Sequence, residues 1–190
     1  LDQHAVLLYE VARKLNTVVD MDTALHEVAN LMLRAMGADK CEVILANRFD
    51  QLHDLGFPET IAQTVIELRS AVIIPDMAAI PDQRVAQSAG LYRIRSALCV
   101  PVISGEDLLA LIYMYKTDPN LQPFEQRDLQ LAVAISHQAA LTIQRTELFT
   151  NLQRERQVQS LLRRFLSPRE AEFLFDHYVK EGSLPGLEVQ

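Results

Sequence analysis

Few residues of this 190-residue chain have the types and spacing that catalysis or metal binding requires. Its histidines are isolated, and none pairs with a cysteine or a carboxylate at the spacing of a metal site. They are His4, His26, His53, His137 and His177. The six glycines are scattered and form no phosphate-cradling loop. The sequence therefore predicts no catalytic centre, no metal site and no cofactor in this chain.

The two cysteines, Cys41 and Cys99, lie in apolar, strand-like runs. A free cysteine in such a run behaves as a small apolar residue, and cytoplasmic proteins keep their thiols reduced. We expect both to be core residues of a cytoplasmic protein rather than a disulfide. A reactive thiol needs an exposed, activated cysteine, which these runs do not predict.

Composition limits the partners of the chain. The net charge is −7 and is spread along the sequence, so there is no basic surface of the kind that nucleic acid requires. No apolar run approaches the roughly 18 residues of a membrane span. Nearly half of the residues are apolar, which is enough for a folded core. We expect a soluble protein that binds neither nucleic acid nor a membrane.

The pattern of apolar residues predicts helices first, then strands, then one long helix. Helical spacing marks residues 2–17 and, after the capping residue Asp20, a second helix that ends at Gly37. Strands are expected at residues 41–49, 71–74, 96–103 and 108–115, and short helices at residues 59–69 and 82–90. This order predicts an α+β fold in which helices cover both faces of an antiparallel sheet.

The last third of the chain predicts a connector. Residues 124–166 contain neither glycine nor proline, so one helix can run through them and extend beyond any core this chain can build. The helix is expected to stop at Ser167-Pro168, because proline disfavours helical geometry in the residue before it. Such a helix connects a domain to a further part of the protein. The chain also starts without a methionine, and we expect it to be the regulatory portion of a larger protein.

Several segments together resemble the GAF domain, the small-molecule sensor fold of phosphodiesterases, cyclases and phytochromes. The resemblance covers about residues 4–147, and its order is more specific than any one segment. The segments are Leu7–Asn16, Met36–Lys40, Ile74–Met77, Ile80–Asp82, Ile94–Val102 and Pro123–Leu129. The resemblance implies a GAF-like sheet and a sensory function.

The resemblance also implies a ligand cavity between the sheet and residues 75–95. The candidates to line it are Asp76, Met77, Arg84, Gln87 and Ser88. Arg84 can meet an anionic group, and Gln87 and Ser88 can hydrogen-bond a polar one. The alternative is that Asp76 caps the following turn and Arg84 is solvated. Residues 50–57 are shorter than the family's second strand, which predicts a small or open cavity.

Cyclic nucleotides are an alternative ligand. GAF domains that bind them tend to carry a signature whose matching positions here are Tyr115, Lys116, Phe124, Asp128 and Leu129. Lys116, Phe124 and Asp128 fit the signature, whereas Tyr115 and Leu129 depart from it. A second interpretation is structural, with a Lys116–Asp128 pair fastening the last strand to the closing helix.

The tail resembles the linker that precedes class III adenylate or guanylate cyclase domains. The similar residues are Leu162–Pro168, a short helix to Tyr178, Gly182 and Leu187–Val189. The predicted organisation is a GAF sensor domain at residues 1–147, a coiled-coil-like signalling helix at 148–166, and a linker helix at 167–190 that leads to a cyclase domain absent from this sequence. The chain itself is predicted not to be an enzyme.

The resulting hypothesis is a regulatory homodimer, paired through its N-terminal and C-terminal helices, that controls a nucleotide cyclase. The apolar positions expected to form the seam are Leu141, Leu148, Leu152, Leu161 and Leu162. An unidentified small-molecule ligand is compatible with this function. The alternatives are a structural dimerisation domain without a ligand and a cyclic-nucleotide-binding GAF domain. The sequence leaves open the ligand, the purine nucleotide of the cyclase and the sign of the regulation.

Overall fold

A four-stranded antiparallel sheet forms the centre of the structure, a computed structural model that describes residues 3–17, 20–79 and 93–182. The strands are β1 (Lys40–Leu45), β2 (Val72–Ile74), β3 (Ser96–Ser104) and β4 (Asp107–Lys116), in the order β1-β4-β3-β2 across the sheet. The helices are α1 (Gln3–Thr17), α2 (Met21–Met36), α3 (Glu59–Leu68), α4 (Gln126–Phe165) and α5 (Pro168–Glu181). The α+β fold predicted from the sequence is confirmed.

The two central strands form the predicted hairpin. Ser104 pairs with Asp107 across a turn in which Gly105 has a φ of 60°, a conformation that glycine adopts without strain. At the other end of the hairpin Ser96 pairs with Lys116. Both strands are buried over most of their length because each face of the sheet is covered.

The core has two layers, one on each face of the sheet. Neighbouring residues of a strand point to opposite faces, so Leu98 lies in one layer and Cys99 in the other. The first layer contains residues of α1, α2 and α4, among them Val11, Met32 and Ile135. The second layer contains residues of α3 and of the chain before it. Its largest members include Phe57, Ile61, Leu111 and Tyr113.

The predicted helix caps are confirmed. Asp20 accepts hydrogen bonds from the backbone N–H of Thr23 at 3.1 Å and from its hydroxyl at 2.7 Å. These bonds lower the pKa of the Asp20 carboxyl. Gly37 ends α2 with a φ of 64°. Ser167 caps α5 by accepting a 3.4 Å bond from the N–H of Glu170. Cap positions are local signals, which explains why the sequence located them.

The sequence overestimated the length of the first strand. The expected strand 41–49 ends at Leu45, and residues Ala46–Gln51 form a 3₁₀ helix. Asn47 and Asp50 lie in this segment, and such side chains favour turns over strands. Between β1 and β2 the chain forms turns and α3 instead of a further strand. The helix expected at residues 82–90 lies outside the described residues.

The chain divides into two compact units, Leu1–Gln144 and Arg145–Gln190. The first contains the sheet, its covering helices and the start of α4. The second contains the rest of α4 and α5. In the described part of the chain, no helix combines the length and the hydropathy that a membrane span requires.

Candidate functional site

An open cleft of about 220 Å³ lies at the end of the sheet where β2 ends, β3 begins and β4 ends. Among the residues that the structure describes, three prolines and one leucine contribute to its wall, and its charged residues are two cations and two carboxylates. The lining residues are Pro75, Asp76, Arg95, Ser96, Lys116, Asp118, Pro119, Leu121 and Pro123. The cleft brings together one predicted cavity residue, Asp76, and one residue of the nucleotide-binding signature, Lys116.

Backbone and hydroxyl hydrogen bonds fix the walls of the cleft. The N–H of Arg95 donates to the carbonyl of Lys116 at 2.8 Å. The buried hydroxyl of Ser96 donates to the carbonyl of Ile74 and accepts from the N–H of Phe124, both at 3.0 Å. These bonds tie β2, β3, β4 and the loop before α4 to one another. The cleft therefore has a fixed shape on these sides.

Lys116 is 6% exposed although it carries an ammonium group. Its Nζ donates to the carbonyl of Gln122 at 2.8 Å and lies 4.7 Å from the centroid of the Phe124 ring. Asp128, the expected partner, instead accepts a 2.8 Å bond from the N–H of Glu125. The proposed Lys116–Asp128 pair is thus absent, and each side chain instead bonds to a backbone group of the loop before α4. Lys116 holds the loop over the sheet, and Asp128 caps the start of α4.

The acidic side of the cleft consists of Asp76 and Asp118. Oδ1 of Asp76 accepts from the N–H of Ala78 at 2.9 Å, and Oδ1 of Asp118 accepts from the N–H of Asn120 at 2.8 Å. Each carboxylate therefore closes a short turn, which is the alternative that the sequence offered for Asp76. Both carboxylates are exposed to solvent.

Of the other predicted cavity residues, the structure describes Met77, which does not line this cleft. Met77 is 5% exposed and belongs to the second core layer, together with Phe57 and Tyr113. Arg84, Gln87 and Ser88 lie outside the described residues.

Both cysteines are free and buried. Burial, with a smaller contribution from the nearby charge of Glu42, raises the pKa of the Cys41 thiol from 9.0 to about 12. Burial also raises the pKa of Cys99. These are core thiols without the lowered pKa of a nucleophile. Among the described residues, no group of histidine, cysteine and carboxylate side chains is arranged to hold a metal ion.

The predicted seam residues fall into different environments. Leu141, Leu148 and Leu152 are exposed, and their spacings of seven and four residues place them on one stripe of α4. Leu161 is exposed too, but twenty residues at about 100° each turn it to the far side of a straight helix from Leu141. Leu162 differs from expectation because it is buried within its own chain.

The second unit contains an elbow between α4 and α5, the segment Leu166-Ser167-Pro168. Pro168 occupies the first turn of α5, where proline is tolerated because its missing N–H would have no partner in the helix. A cavity of about 550 Å³ beside the elbow is lined by Gln159, Arg163, Leu166, Pro168, Ala171, Glu172 and Phe175. Ala171 is buried and Phe175 half-buried, so part of the apolar face of α5 is covered by its own chain.

Comparison with known families settles the identity of the first unit. The profile of the GAF domain matches residues 20–143. The chain belongs to the GAF domain family. This is a family of sensory and regulatory domains, as the sequence segments predicted. No curated protein matches the sequence.

Solved structures with a similar fold are distant in sequence. A GAF domain from an Acinetobacter phosphoenolpyruvate-protein phosphotransferase is 17% identical with a TM-score of 0.59, covering 78% of this chain and 96% of that one. A bacteriophytochrome from R. palustris is 16% identical with a TM-score of 0.64, covering 85% and 42%. The free methionine-R-sulfoxide reductase of Neisseria meningitidis, solved with its substrate, is 15% identical with a TM-score of 0.56, covering 78% and 94%. Likeness at this distance shows the GAF fold alone.

Sequence reasoning missed two charged residues of the cleft, Arg95 and Asp118. Arg95 comes directly before β3 and Asp118 follows β4 by two residues. The predicted hairpin places the start of β3 beside the end of β4. Strand pairing was therefore the feature of the sequence that could have placed Arg95 and Asp118 in one site.

Proposed function

We propose that this chain is a dimeric sensory and regulatory module that acts through α4 and α5 on a nucleotide cyclase domain. Membership of the GAF family supports the sensory part. The observation that carries the regulatory part is the course of α4, which starts in the GAF unit and runs as one helix to Phe165. A continuous helix transmits a rotation or shift along its length, whereas a flexible linker does not.

The exposed stripe on α4 supports a dimer. Leu141, Leu148 and Leu152 are 63%, 61% and 46% exposed. Three leucines on one stripe of a surface helix form the kind of seam along which two helices pair. Exposed Val6 and Tyr9 give α1 a further apolar surface for the second copy. The proposed dimer therefore uses the N-terminal helix and the stripe on α4.

The cyclase output rests on the resemblance of residues 162–189 to the linker of class III cyclases. The elbow supports this part of the proposal, because Ser167 caps α5 and Pro168 occupies its first turn at the position where that linker is expected. Cyclases of this class build their active sites at a dimer interface, so their regulator must also be dimeric.

A second candidate is a structural dimerisation domain without a ligand. The burial of Met77 among Phe57 and Tyr113 favours it, because these side chains occupy space on the sheet face toward which residues 75–79 lie. Under this alternative the module still sets the geometry of its output, but no small molecule changes it.

Changing the phase of α4 tests the proposed function. We would fuse a class III cyclase catalytic domain after Gln190 and insert one, two or seven alanines after Gln153. Each inserted residue turns the following helix by about 100°, and seven residues return it close to its starting phase. Cyclase activity is expected to change with one or two residues and to recover with seven.

The matched control places the same insertions after Gly182, which ends α5. Insertions after the end of α5 are expected to have a smaller effect. Equal activity in all variants would contradict a geometric role for α4.

A further inference from the structure

We propose that the cleft at the end of the sheet binds a small zwitterion, with its anionic group between Lys116 and Arg95 and its cationic group against Asp76 and Asp118. The inference names the ligand class for the sensory role proposed above. Binding is measured on the chain itself, so its outcome is separate from dimerisation and from any cyclase activity.

The first argument is the incomplete neutralisation of Lys116. Its contacts are a backbone carbonyl and an aromatic ring, and among the described residues no carboxylate lies within ion-pair distance of its Nζ. A buried ammonium without an anion is costly. The charge of Lys116 acts only weakly on Asp39, because the pKa of that carboxyl is lowered mainly by the backbone N–H of Thr117 and least by Lys116. An anionic group in the cleft would supply the missing charge.

Arg95 provides the second cation. Its backbone N–H is bonded to the carbonyl of Lys116, and both residues line the cleft. Its side chain is exposed and has no hydrogen-bond partner or carboxylate among the described residues. A guanidinium group matches the geometry of a carboxylate or phosphate with two parallel hydrogen bonds. Arg95 and Lys116 together therefore favour a group of that kind.

The carboxylates explain why the ligand is a zwitterion rather than a simple anion. Asp76 and Asp118 each use Oδ1 for a local turn, and Oδ2 of each has no partner among the described residues. Two carboxylates at the cleft repel a plain anion, but they accept hydrogen bonds from an ammonium group. The two cations and two carboxylates balance in charge, as do the two ends of a zwitterion.

The size of the cleft limits the ligand. Its volume of about 220 Å³ is below the roughly 300–1,000 Å³ of sites for drug-sized molecules. Pro75, Pro119 and Pro123 stiffen its wall, because proline has a fixed φ. A preformed site loses less conformational entropy on binding. The ligand class is therefore a short molecule with an amine at one end and a carboxylate or phosphate at the other.

Calorimetry and two-dimensional NMR of the 190-residue chain test the proposal with two zwitterionic probes, 4-aminobutyrate and phosphoethanolamine. The comparison probes are butyrate, butylamine and inorganic phosphate, each of which carries one kind of charge. We expect at least one zwitterion to bind saturably with a Kd of about 1 mM or tighter, and each singly charged probe to bind at least about tenfold more weakly. Amide signals of Arg95 and Lys116 are expected to shift on binding.

Substitutions test which residues bind the anionic and the cationic group of the ligand. Arg95→Gln and Lys116→Met are expected to weaken binding at least about tenfold each, roughly the effect of one charge-assisted hydrogen bond. Asp76→Asn combined with Asp118→Asn is expected to remove the preference for zwitterions over butyrate and phosphate. Lys40→Met is the matched control, because Lys40 also donates to a carbonyl and lies over a phenylalanine ring but does not line this cleft.

Three results would overturn the inference. The first is the absence of saturable binding by both zwitterions, and the second is equal binding of inorganic phosphate or butyrate. The third is unchanged affinity in the Arg95→Gln variant, which alters an exposed side chain and is expected to fold normally. None of these results bears on the dimer or on the phase of α4.

Discussion

Lys40 and Lys116 lie at the same end of the sheet, on opposite faces, and each holds its ammonium against a phenylalanine ring. Lys40 pairs across the strands with Tyr115, the neighbour of Lys116, so the two lysines point to opposite faces. Nζ of Lys40 lies 4.6 Å from the ring centroid of Phe57 and donates to the carbonyl of Leu55. The corresponding distance from Lys116 to Phe124 is 4.7 Å. Each lysine thus fastens one chain segment across the end of the sheet.

The two lysine–ring pairs are expected to differ in strength. Lys116 is buried and Lys40 is half-exposed, and a cation–π contact strengthens as water is excluded. A double-mutant cycle of Lys116→Met with Phe124→Leu should give a coupling energy of about 2 kcal/mol, against about 0.5–1 kcal/mol for Lys40→Met with Phe57→Leu. Urea unfolding measures both cycles. Equal coupling in the two cycles, or none at Lys116, would contradict the assignment.

The buried thiols predict a loss of stability in alkali. The pKa of Cys41 is raised from 9.0 to about 12, and that of Cys99 is raised too. The unfolded chain therefore loses these protons first. The contribution of the thiols is fully present below pH 9.0 and falls as the pH rises toward about 12 for Cys41. The free energy of unfolding then falls with pH, with a slope that approaches about 1.4 kcal/mol per pH unit for each thiol.

Urea unfolding between about pH 8 and pH 10 checks this thiol effect. The control is the double variant Cys41→Ala with Cys99→Ala, in which the decline should be shallower because only the other groups titrate. Identical slopes in the two proteins would show that the thiols are accessible in the folded chain. Thiol labelling of the native protein should be slow for the same reason.

The exposed leucines Leu141, Leu148 and Leu152 of α4 predict a dimer that a charged substitution in this stripe disrupts. Leu148→Asp and Leu152→Asp each place a carboxylate in the proposed seam, and burial of one leucine is worth about 1.5–3 kcal/mol. Each variant should weaken the dimer about tenfold or more, as measured by analytical ultracentrifugation. Leu68→Asp is the matched control, since Leu68 is 65% exposed and lies on α3. A monomeric parent chain, or an equal effect of Leu68→Asp, would refute the seam.

The sequence predicted the features that depend on neighbouring residues. The caps at Asp20, Gly37 and Ser167 and the length of α4 follow from side chains within a few positions of each helix end. The end of β1 was wrong because a strand continues only where a partner strand does, and the pairing of β1 with β4 stops at Leu45 and Ala110. The local sequence pattern of a strand does not show where its partner strand ends.

The candidate site was only partly predictable for the same reason. Asp76 and Lys116 were identified singly, but the cleft that they share depends on the pairing of Ser96 with Lys116. The Lys116–Asp128 pair, which was one of two interpretations, does not form, because Lys116 donates to the carbonyl of Gln122 and Asp128 accepts from the N–H of Glu125. No sequence pattern indicates which backbone groups of a folded loop will bond to these side chains in place of another side chain.

The elbow at Ser167-Pro168 predicts a change of geometry that can be measured directly. Replacing Ser167-Pro168 with Ala-Ala removes the cap and the proline, and alanine favours the helix. We expect α4 and α5 to become one helix. Gln159 and Phe175, which now line the same cavity, would then lie about 24 Å apart, because sixteen residues rise 1.5 Å each. Spin labels at these two positions report the distance.

The control and the functional readout separate a geometric joint from a spacer. Ser167→Ala alone should cost α5 about 1 kcal/mol of stability and leave the elbow in place, since Pro168 still restricts the residue before it. In the fusion with a cyclase domain, Ala-Ala should alter cyclase activity while ultracentrifugation still shows a dimer. Ser167→Ala should change activity little. If the spin labels move apart and cyclase activity stays at the parent level, the segment is a spacer and the elbow has no regulatory role.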